Sequence, residues 1–166
     1  MLVIVVRRSE IECIGTGQSI VLCLDKMLGI MVRVLLVDDH PAFLTVIHSE
    51  LMALRQLMVV GYAQSGQDAL ALVQLLQPDL VILDIAMPGM NGLEVARQIK
   101  AQAHAATVVL VSMHDTTAYR SASMNVADGF VAKDMLDMHL LPLVARLFPA
   151  LAIRTDIVDD EHLFGD

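Results

Sequence analysis

The sequence predicts an α/β protein built on one five-stranded parallel sheet with helices on both faces. From Met31 onward, short β-branched apolar runs alternate with stretches of helical periodicity. Within the runs the apolar residues are nearly continuous, which is typical of parallel strands buried on both faces. The hydrophobic content of 56% in 166 residues is ample for such a core. Together these observations favour a doubly wound sheet.

Strands are predicted where an apolar run is closed by a polar or charged residue. The boundary residues can be read directly, because each run is short and is followed by turn formers or a helical pattern. In chain order, the predicted strands are 32–37, 58–63, 80–83, 108–111 and 130–132.

Each strand is followed by a predicted helix. Pro41 suits a first helical turn and Asn91 suits an N-cap. The last helix is harder to place, because a proline inside a helix costs about 3 kcal/mol. It is therefore expected to begin near Pro142, to run to Phe148 and to end at Pro149. The other four helices are predicted at 41–54, 67–77, 92–101 and 116–124.

The pattern divides the chain into an N-terminal extension (1–30), a folded domain (31–148) and an acidic C-terminal tail (149–166). Two interpretations of the extension stay open. It is either a leader from an upstream start codon, since Met31 opens the regular pattern, or an added strand or dimerisation arm. The tail is expected to be mobile, because its acidic residues show no helical periodicity.

Composition argues against several classes of protein. A formal net charge of -8 disfavours a surface that binds nucleic acid or an anionic membrane. No apolar run reaches the roughly 18–20 uncharged residues that span a bilayer. Arg7 and Arg8 follow the first apolar run, the reverse of a secretory signal, and Cys13 and Cys23 form no zinc or disulfide pattern. We expect a cytoplasmic protein that itself contacts neither DNA nor membrane.

Charged and polar side chains follow four of the predicted strands. In an open parallel sheet, ligands bind beyond the carboxyl ends of the strands, so these side chains should meet. Each alone could be a helix cap, a turn former or a solvated edge, but their coincidence on four strand ends favours a site. The residues are Asp38, Asp39, Asp84, Ser112 and Lys133.

Three carboxylates in one pocket repel one another unless a cation lies among them. Oxygen ligands with room for water favour Mg²⁺, which can also bridge to a phosphoryl group. The ammonium of Lys133 and the hydroxyl of Ser112 supply further partners for phosphoryl oxygens. The residues therefore predict phosphoryl transfer to a carboxylate.

Four segments resemble the receiver domain of two-component response regulators. The resemblance covers about residues 31–148, and it implies a flavodoxin-like (CheY-like) sheet with strand order 2-1-3-4-5. The Asp-Asp-His-Pro start and the absence of a proline after Lys133 are most similar to the subfamily with LuxR-type helix-turn-helix outputs. The segments are 34–41, 78–92, 111–112 and 127–133, which read VLLVDDHP, PDLVILDIAMPGMNG, VS and ADGFVAK.

The resemblance implies that Asp84 is the phosphoacceptor, with a sensor histidine kinase or a phosphotransfer protein as its partner. It also implies Mg²⁺ as cofactor, bound by Asp39, Asp84 and the backbone carbonyl of Ala86. Asp38 would act mostly through a metal-bound water. His40 is expected at the start of a helix and not as a metal ligand.

The resemblance further implies a switch. Lys133 would pair with the phosphoryl group, Ser112 would move toward it, and the ring of Phe130 would turn into the space left behind. His114, two positions beyond Ser112, would lie at the rim and could steer the water that hydrolyses the acyl phosphate. We expect no enzymatic activity beyond self-dephosphorylation.

Pro142 disturbs the last helix, part of a surface that many family members use for dimerisation or output. Homodimerisation therefore stays open. The segment after Phe148 is too short and too poor in Lys and Arg to be a helix-turn-helix. The chain is then either the regulatory part of a transcription regulator or a receiver that works alone through protein contacts.

Three other classes are less favoured. A haloacid-dehalogenase-type phosphohydrolase has a second Asp two positions after the nucleophile, where this chain has Ala86. A degenerate receiver that only binds proteins would have lost an acidic, Ser or Lys position. A flavodoxin-like cofactor protein would need a Ser/Thr/Gly-rich phosphate loop after its first strand, where Asp38 and Asp39 stand.

Overall fold

The computed structural model of the chain describes residues 31–102, 105–113 and 117–149. The predictions for the extension 1–30, for His114 and for the tail beyond Pro149 lie outside this part. The strands are β1 (Val32–Val37), β2 (Leu57–Ala63), β3 (Leu80–Asp84), β4 (Thr107–Ser112) and β5 (Gly129–Ala132). The helices are α1 (Pro41–Leu51), α2 (Gly66–Leu76), α3 (Gly92–Lys100), α4 (Thr117–Ser123) and α5 (Leu136–Leu147), with a 3-10 turn at Lys133–Met135.

The five strands form one parallel sheet in the order β2-β1-β3-β4-β5, which confirms the predicted topology. β1 pairs with both β2 and β3, so the chain leaves β1 toward one edge of the sheet and later returns to its other side. At such a switch point the connections diverge and leave a crevice beyond the carboxyl ends of the strands. The crevice between β1 and β3 is therefore the expected ligand site.

Alternate residues of each strand pack on opposite faces of the sheet. Val34 and Leu36 belong to a cluster with α1 and α5, whereas Leu35 and Val37 belong to a cluster with α2 and α3. Asp38 and Asp84 continue the rows that pack toward α1 and α5, since they follow Leu36 and Ile82 by two positions. The strand period thus directs both carboxylates to the same side of the sheet.

The prediction for the last helix was wrong. α5 begins at Leu136 and contains Pro142, instead of beginning near it. Leu136, Leu140 and Val144 are buried along one side of this helix, and fully burying such side chains contributes about 1.5–3 kcal/mol each. Pro142 is exposed, as is Met138, the residue whose carbonyl would otherwise accept the N–H that proline lacks, so the proline lies on the solvent side of the helix. Burial outweighs the proline penalty.

The first helix also ends earlier than predicted, at Leu51. Residues 52–56 turn back toward the sheet, with the Leu54 N–H donating to the Leu51 carbonyl and the Leu57 N–H to the Leu54 carbonyl.

Within the described ranges, no helix is long and apolar enough to cross a bilayer.

Candidate functional site

Most of the buried polar side chains lie at the carboxyl edge of the sheet. Asp38 follows β1, Asp84 ends β3, Ser112 ends β4 and Lys133 follows β5, and all four are buried. Among the described residues, Ser123 is the other buried polar side chain. Burial of polar groups is costly unless they are partnered or used, so this concentration marks the edge as the candidate site.

Lys133 joins the two buried carboxylates. Its Nζ lies 2.5 Å from Asp38 Oδ2 and 3.2 Å from Asp84 Oδ1, although Asp38 and Lys133 are 95 positions apart in the chain. One ammonium between two carboxylates leaves an excess negative charge when all three groups are ionised. A further cation would be attracted to this arrangement.

Asp84 is the least satisfied of these groups. Burial raises the pKa of its carboxyl group, the Lys133 ammonium partly opposes that shift, and the Asp38 charge adds to it. Its Oδ1 lies within ion-pair distance of Lys133, but within the described chain it has no partner of hydrogen-bond geometry. Because Lys133 is the one ion-pair partner of this oxygen in the described chain, the oxygen can still accept a bound cation or form a bond to phosphorus.

Asp38 has both carboxylate oxygens engaged. Oδ1 accepts the His40 N–H at 2.9 Å and Oδ2 pairs with Lys133. Asp39 is more exposed, and its Oδ1 lies 2.9 Å from Nδ1 of the exposed His40 ring. His40 is the N-cap of α1, which confirms its position at the helix start.

The donor set fits Mg²⁺. Carboxylate oxygens of Asp38 and Asp39 lie within 4.8 Å of one another, and the Oδ1 of Asp84 adds a further oxygen. Ala86, predicted to offer its backbone carbonyl, lines the same pocket as Asp84 and His40. Oxygen donors with excess negative charge are what a hard divalent cation requires.

The pocket has a volume of about 450 Å³ and a largely apolar wall. Ala42, Phe43 and Val46 of α1 line it, together with Met113, which follows β4. Sequence reasoning missed this wall and, in particular, Phe43, whose ring centroid lies 4.3 Å from Lys133 Nζ. The available signal was an aromatic residue in the first turn of the helix that follows the acidic pair.

The backbone after Asp84 is held close by a glycine. A Cβ added to Gly92, the first residue of α3, would meet the Asp84 carbonyl oxygen at 2.0 Å and the Cα of Ile85 at 2.9 Å. Larger residues therefore cannot occupy this position unless the loop moves. The close approach fixes the segment that carries Asp84 and Ala86.

Ser112 and Phe130 lie on the other face of the sheet from Asp38 and Asp84. Phe130 is half-buried against the cluster that includes Leu110, its partner on β4. Ser112 lies two positions after Leu110 on the same strand, so it belongs to the same face of the sheet. The Arg120 guanidinium carbon lies 5.4 Å from the Phe130 ring centroid. Ser112 and Phe130 are thus on one face, but their predicted movement remains a prediction.

The model of the response regulator receiver domain family matches residues 34–145. The chain belongs to this family. Residues 34–145 form a receiver domain of the kind found in two-component response regulators, a module of phosphorylation-based signalling. Receiver domains interact with histidine kinases and bind Mg²⁺ at an acidic pocket of this kind.

Among its relatives are the nitrate/nitrite response regulator protein NarL of Escherichia coli K12 and the response regulator GacA of Pseudomonas aeruginosa. The first is 36% identical over 110 residues, 65% of this chain and 50% of NarL. The second is 36% identical over 104 residues, 62% of this chain and 49% of GacA. The receiver therefore spans about half the length of the curated relatives it matches.

Solved structures of response regulators have a fold similar to that of this chain. The signal receiver domain of NarL from Mycobacterium tuberculosis is 34% identical with a TM-score of 0.63, over 75% of this chain and 98% of that one. A LuxR-family response regulator from Aurantimonas sp. SI85-9A1 is 26% identical with a TM-score of 0.68, over 72% of this chain and 86% of that one. The predicted similarity to the LuxR-type subfamily is confirmed.

Proposed function

We propose that Asp84 accepts the phosphoryl group and that this receiver is the regulatory part of a transcription regulator. The observation that carries the proposal is the buried Asp84 Oδ1, which lacks a hydrogen-bond partner among the described residues, lies 3.2 Å from Lys133 Nζ and belongs to a residue lining the pocket. Asp38 is a poorer nucleophile, because both its oxygens are already engaged.

In the proposed step, a carboxylate oxygen of Asp84 bonds to phosphorus while the bond from phosphorus to the donor's imidazole nitrogen breaks. That nitrogen keeps the electron pair and takes up a proton from solvent. Lys133 neutralises charge on the phosphoryl oxygens from its position between Asp38 and Asp84. The histidine of a sensor kinase or of a phosphotransfer protein is the donor.

Mg²⁺ would offset the charge of the phosphoryl group and of the carboxylates. Asp39, Asp84 and the backbone carbonyl of Ala86 would hold it. Asp84 has the unpartnered oxygen, Ala86 lines the same pocket, and Asp39 belongs to the acidic group at the end of β1. Asp38 would act through a water, because its two oxygens already accept the His40 N–H and the Lys133 ammonium.

Phosphorylation would then bias a two-state equilibrium. The hydroxyl of Ser112 would move toward the phosphoryl group and the ring of Phe130 would follow on the same face of the sheet. The surface of α4 and β5 would change, and with it the affinity for an output partner. DNA contact would come from an output domain, since the relatives are about twice as long as the region they share with this chain.

The test is intact-mass analysis after incubation with acetyl phosphate and Mg²⁺, on the wild type, Asp84→Asn and Asp128→Asn. The wild type and Asp128→Asn should gain roughly 80 Da, removable by hydroxylamine, whereas Asp84→Asn should gain nothing. Omitting Mg²⁺ should abolish the adduct.

An adduct on Asp84→Asn would refute the assignment. Absence of any adduct, together with no binding of beryllofluoride to the folded wild type, would refute phosphoacceptor function and favour a receiver that only binds proteins.

A further inference from the structure

We propose that Phe43 is a positioning residue for Lys133: the face of its ring holds the ammonium beside Asp84. Lys133 Nζ lies 4.3 Å from the ring centroid, well within the roughly 6 Å over which a cation is attracted to an aromatic face. This inference rests on the proposed function, because it concerns the cation that would meet the phosphoryl group.

The ammonium is enclosed on three sides. Asp38 Oδ2 and Asp84 Oδ1 are two of its neighbours, and the Phe43 ring is the third. The side chain of Lys133 is only 4% exposed, so little water competes for the ammonium. Cation–π attraction is strongest when the cation is desolvated in this way.

The position of the ring is set by the fold. Phe43 lies in the first turn of α1, where its N–H donates to the carbonyl of the N-cap residue His40. α1 is anchored by the burial of Leu44 and Ile47, and Phe43 packs against the same cluster. The ring is therefore held by packing that does not depend on Lys133.

An aromatic face suits a cation that must shift. The hydrogen bond from Lys133 to Asp38 Oδ2 is directional, whereas attraction to the ring face tolerates small displacements of the ammonium. Lys133 could therefore turn from Asp38 toward phosphoryl oxygens without losing the contact with Phe43. An aliphatic residue would fill the space but offer no negative face, and the shorter contact with Asp38 would then dominate the position of the ammonium.

The experiment is a double-mutant cycle on the full chain with Phe43→Leu and Lys133→Met, measured by urea unfolding and by beryllofluoride binding with Mg²⁺ (¹⁹F NMR). With Lys133 intact, Phe43→Leu should lower both the folding equilibrium constant and the beryllofluoride affinity about tenfold more than it does in the Lys133→Met background. Phe43→Tyr, which keeps the ring face, should restore both. Equal effects in the two backgrounds would show that Phe43 is only a wall and overturn the proposal.

A second series does not depend on the stability of the Lys133→Met protein. Replacement of Phe43 by 4-fluoro- and 3,4,5-trifluorophenylalanine weakens the negative ring face with little change of size. The folding equilibrium constant should fall stepwise along the series, and a flat series would overturn the proposal. Failure of the wild type to bind beryllofluoride would instead count against the proposed function, since the unfolding measurements do not involve a ligand.

Discussion

Aspartates at the two edges of the sheet have opposite surroundings. At the amino edge, Asp79 and Asp128 each stand just before a strand and close a reciprocal pair of hydrogen bonds with the neighbouring strand. The Asp79 N–H donates to the Arg33 carbonyl and the Arg33 N–H donates to Asp79 Oδ2. Asp128 makes the same pair of bonds with Val108.

At the carboxyl edge, Asp38 and Asp84 are buried, share one ammonium and leave Asp84 Oδ1 without a hydrogen bond in the described chain. Aspartates thus stabilise strand pairing at the amino edge, whereas at the carboxyl edge they carry negative charge that one ammonium does not balance. Binding sites are commonly built at a cost in stability of this kind. Substitutions of aspartates at the two edges should therefore have opposite effects.

The largest effect is expected from Lys133→Met, which removes the cation and leaves two buried carboxylates together. Loss of one member of a buried ion pair costs about 3–5 kcal/mol, so the free energy of unfolding should fall by about that amount without divalent cations. Added Mg²⁺ should recover part of it. Lys100→Met is the control, because the Lys100 pair with Asp128 is partly exposed and should contribute at most about 1 kcal/mol. Equal losses for the two lysines in urea denaturation would contradict the comparison.

Asp128→Ala should destabilise the domain and leave phosphorylation unchanged. It removes the acceptor of the Val108 N–H at 2.7 Å and the partner of Lys100, and a hydrogen bond to a charged group contributes about 1.5–3 kcal/mol. Thermal unfolding and acetyl phosphate labelling measure the two properties separately. The exposed Asp134→Ala is the control. A labelling defect without loss of stability would assign Asp128 to the site.

Asp84→Asn should have the smallest effect and the opposite sign, a gain of about 1 kcal/mol or a few degrees in Tm. Burial raises the pKa of Asp84 in the folded protein above its value of 3.8 in the unfolded chain. Ionisation of Asp84 therefore destabilises the fold as the pH rises from 3.8 through the pKa of the folded protein. With EDTA present to remove divalent cations, the gain in the free energy of unfolding should therefore be small at acid pH and reach its full value at neutral pH. A variant less stable than the wild type at neutral pH would show that the Lys133 attraction exceeds the burial cost.

Much of the fold and site follows from local pattern. Buried parallel strands read as continuous apolar runs, and the residues after them must lie at one edge, so Asp38, Asp84, Ser112 and Lys133 could be brought together from the sequence. Two-residue periodicity also places Asp38 and Asp84 on the same face. These features depend only on the order of residues within each strand and on the parallel topology.

Other features were decided by tertiary structure. Pro142 is tolerated in α5 because it faces solvent while Leu140 is buried, a difference that the proline penalty alone does not reveal. The contact between Phe43 and Lys133 joins residues far apart in the chain, and the distribution of Asp38 oxygens between His40 and Lys133 depends on distances of a few ångströms. Sequence determined which groups reach the edge, whereas packing decided which atoms meet, because contact energies depend on separations that residue order does not set.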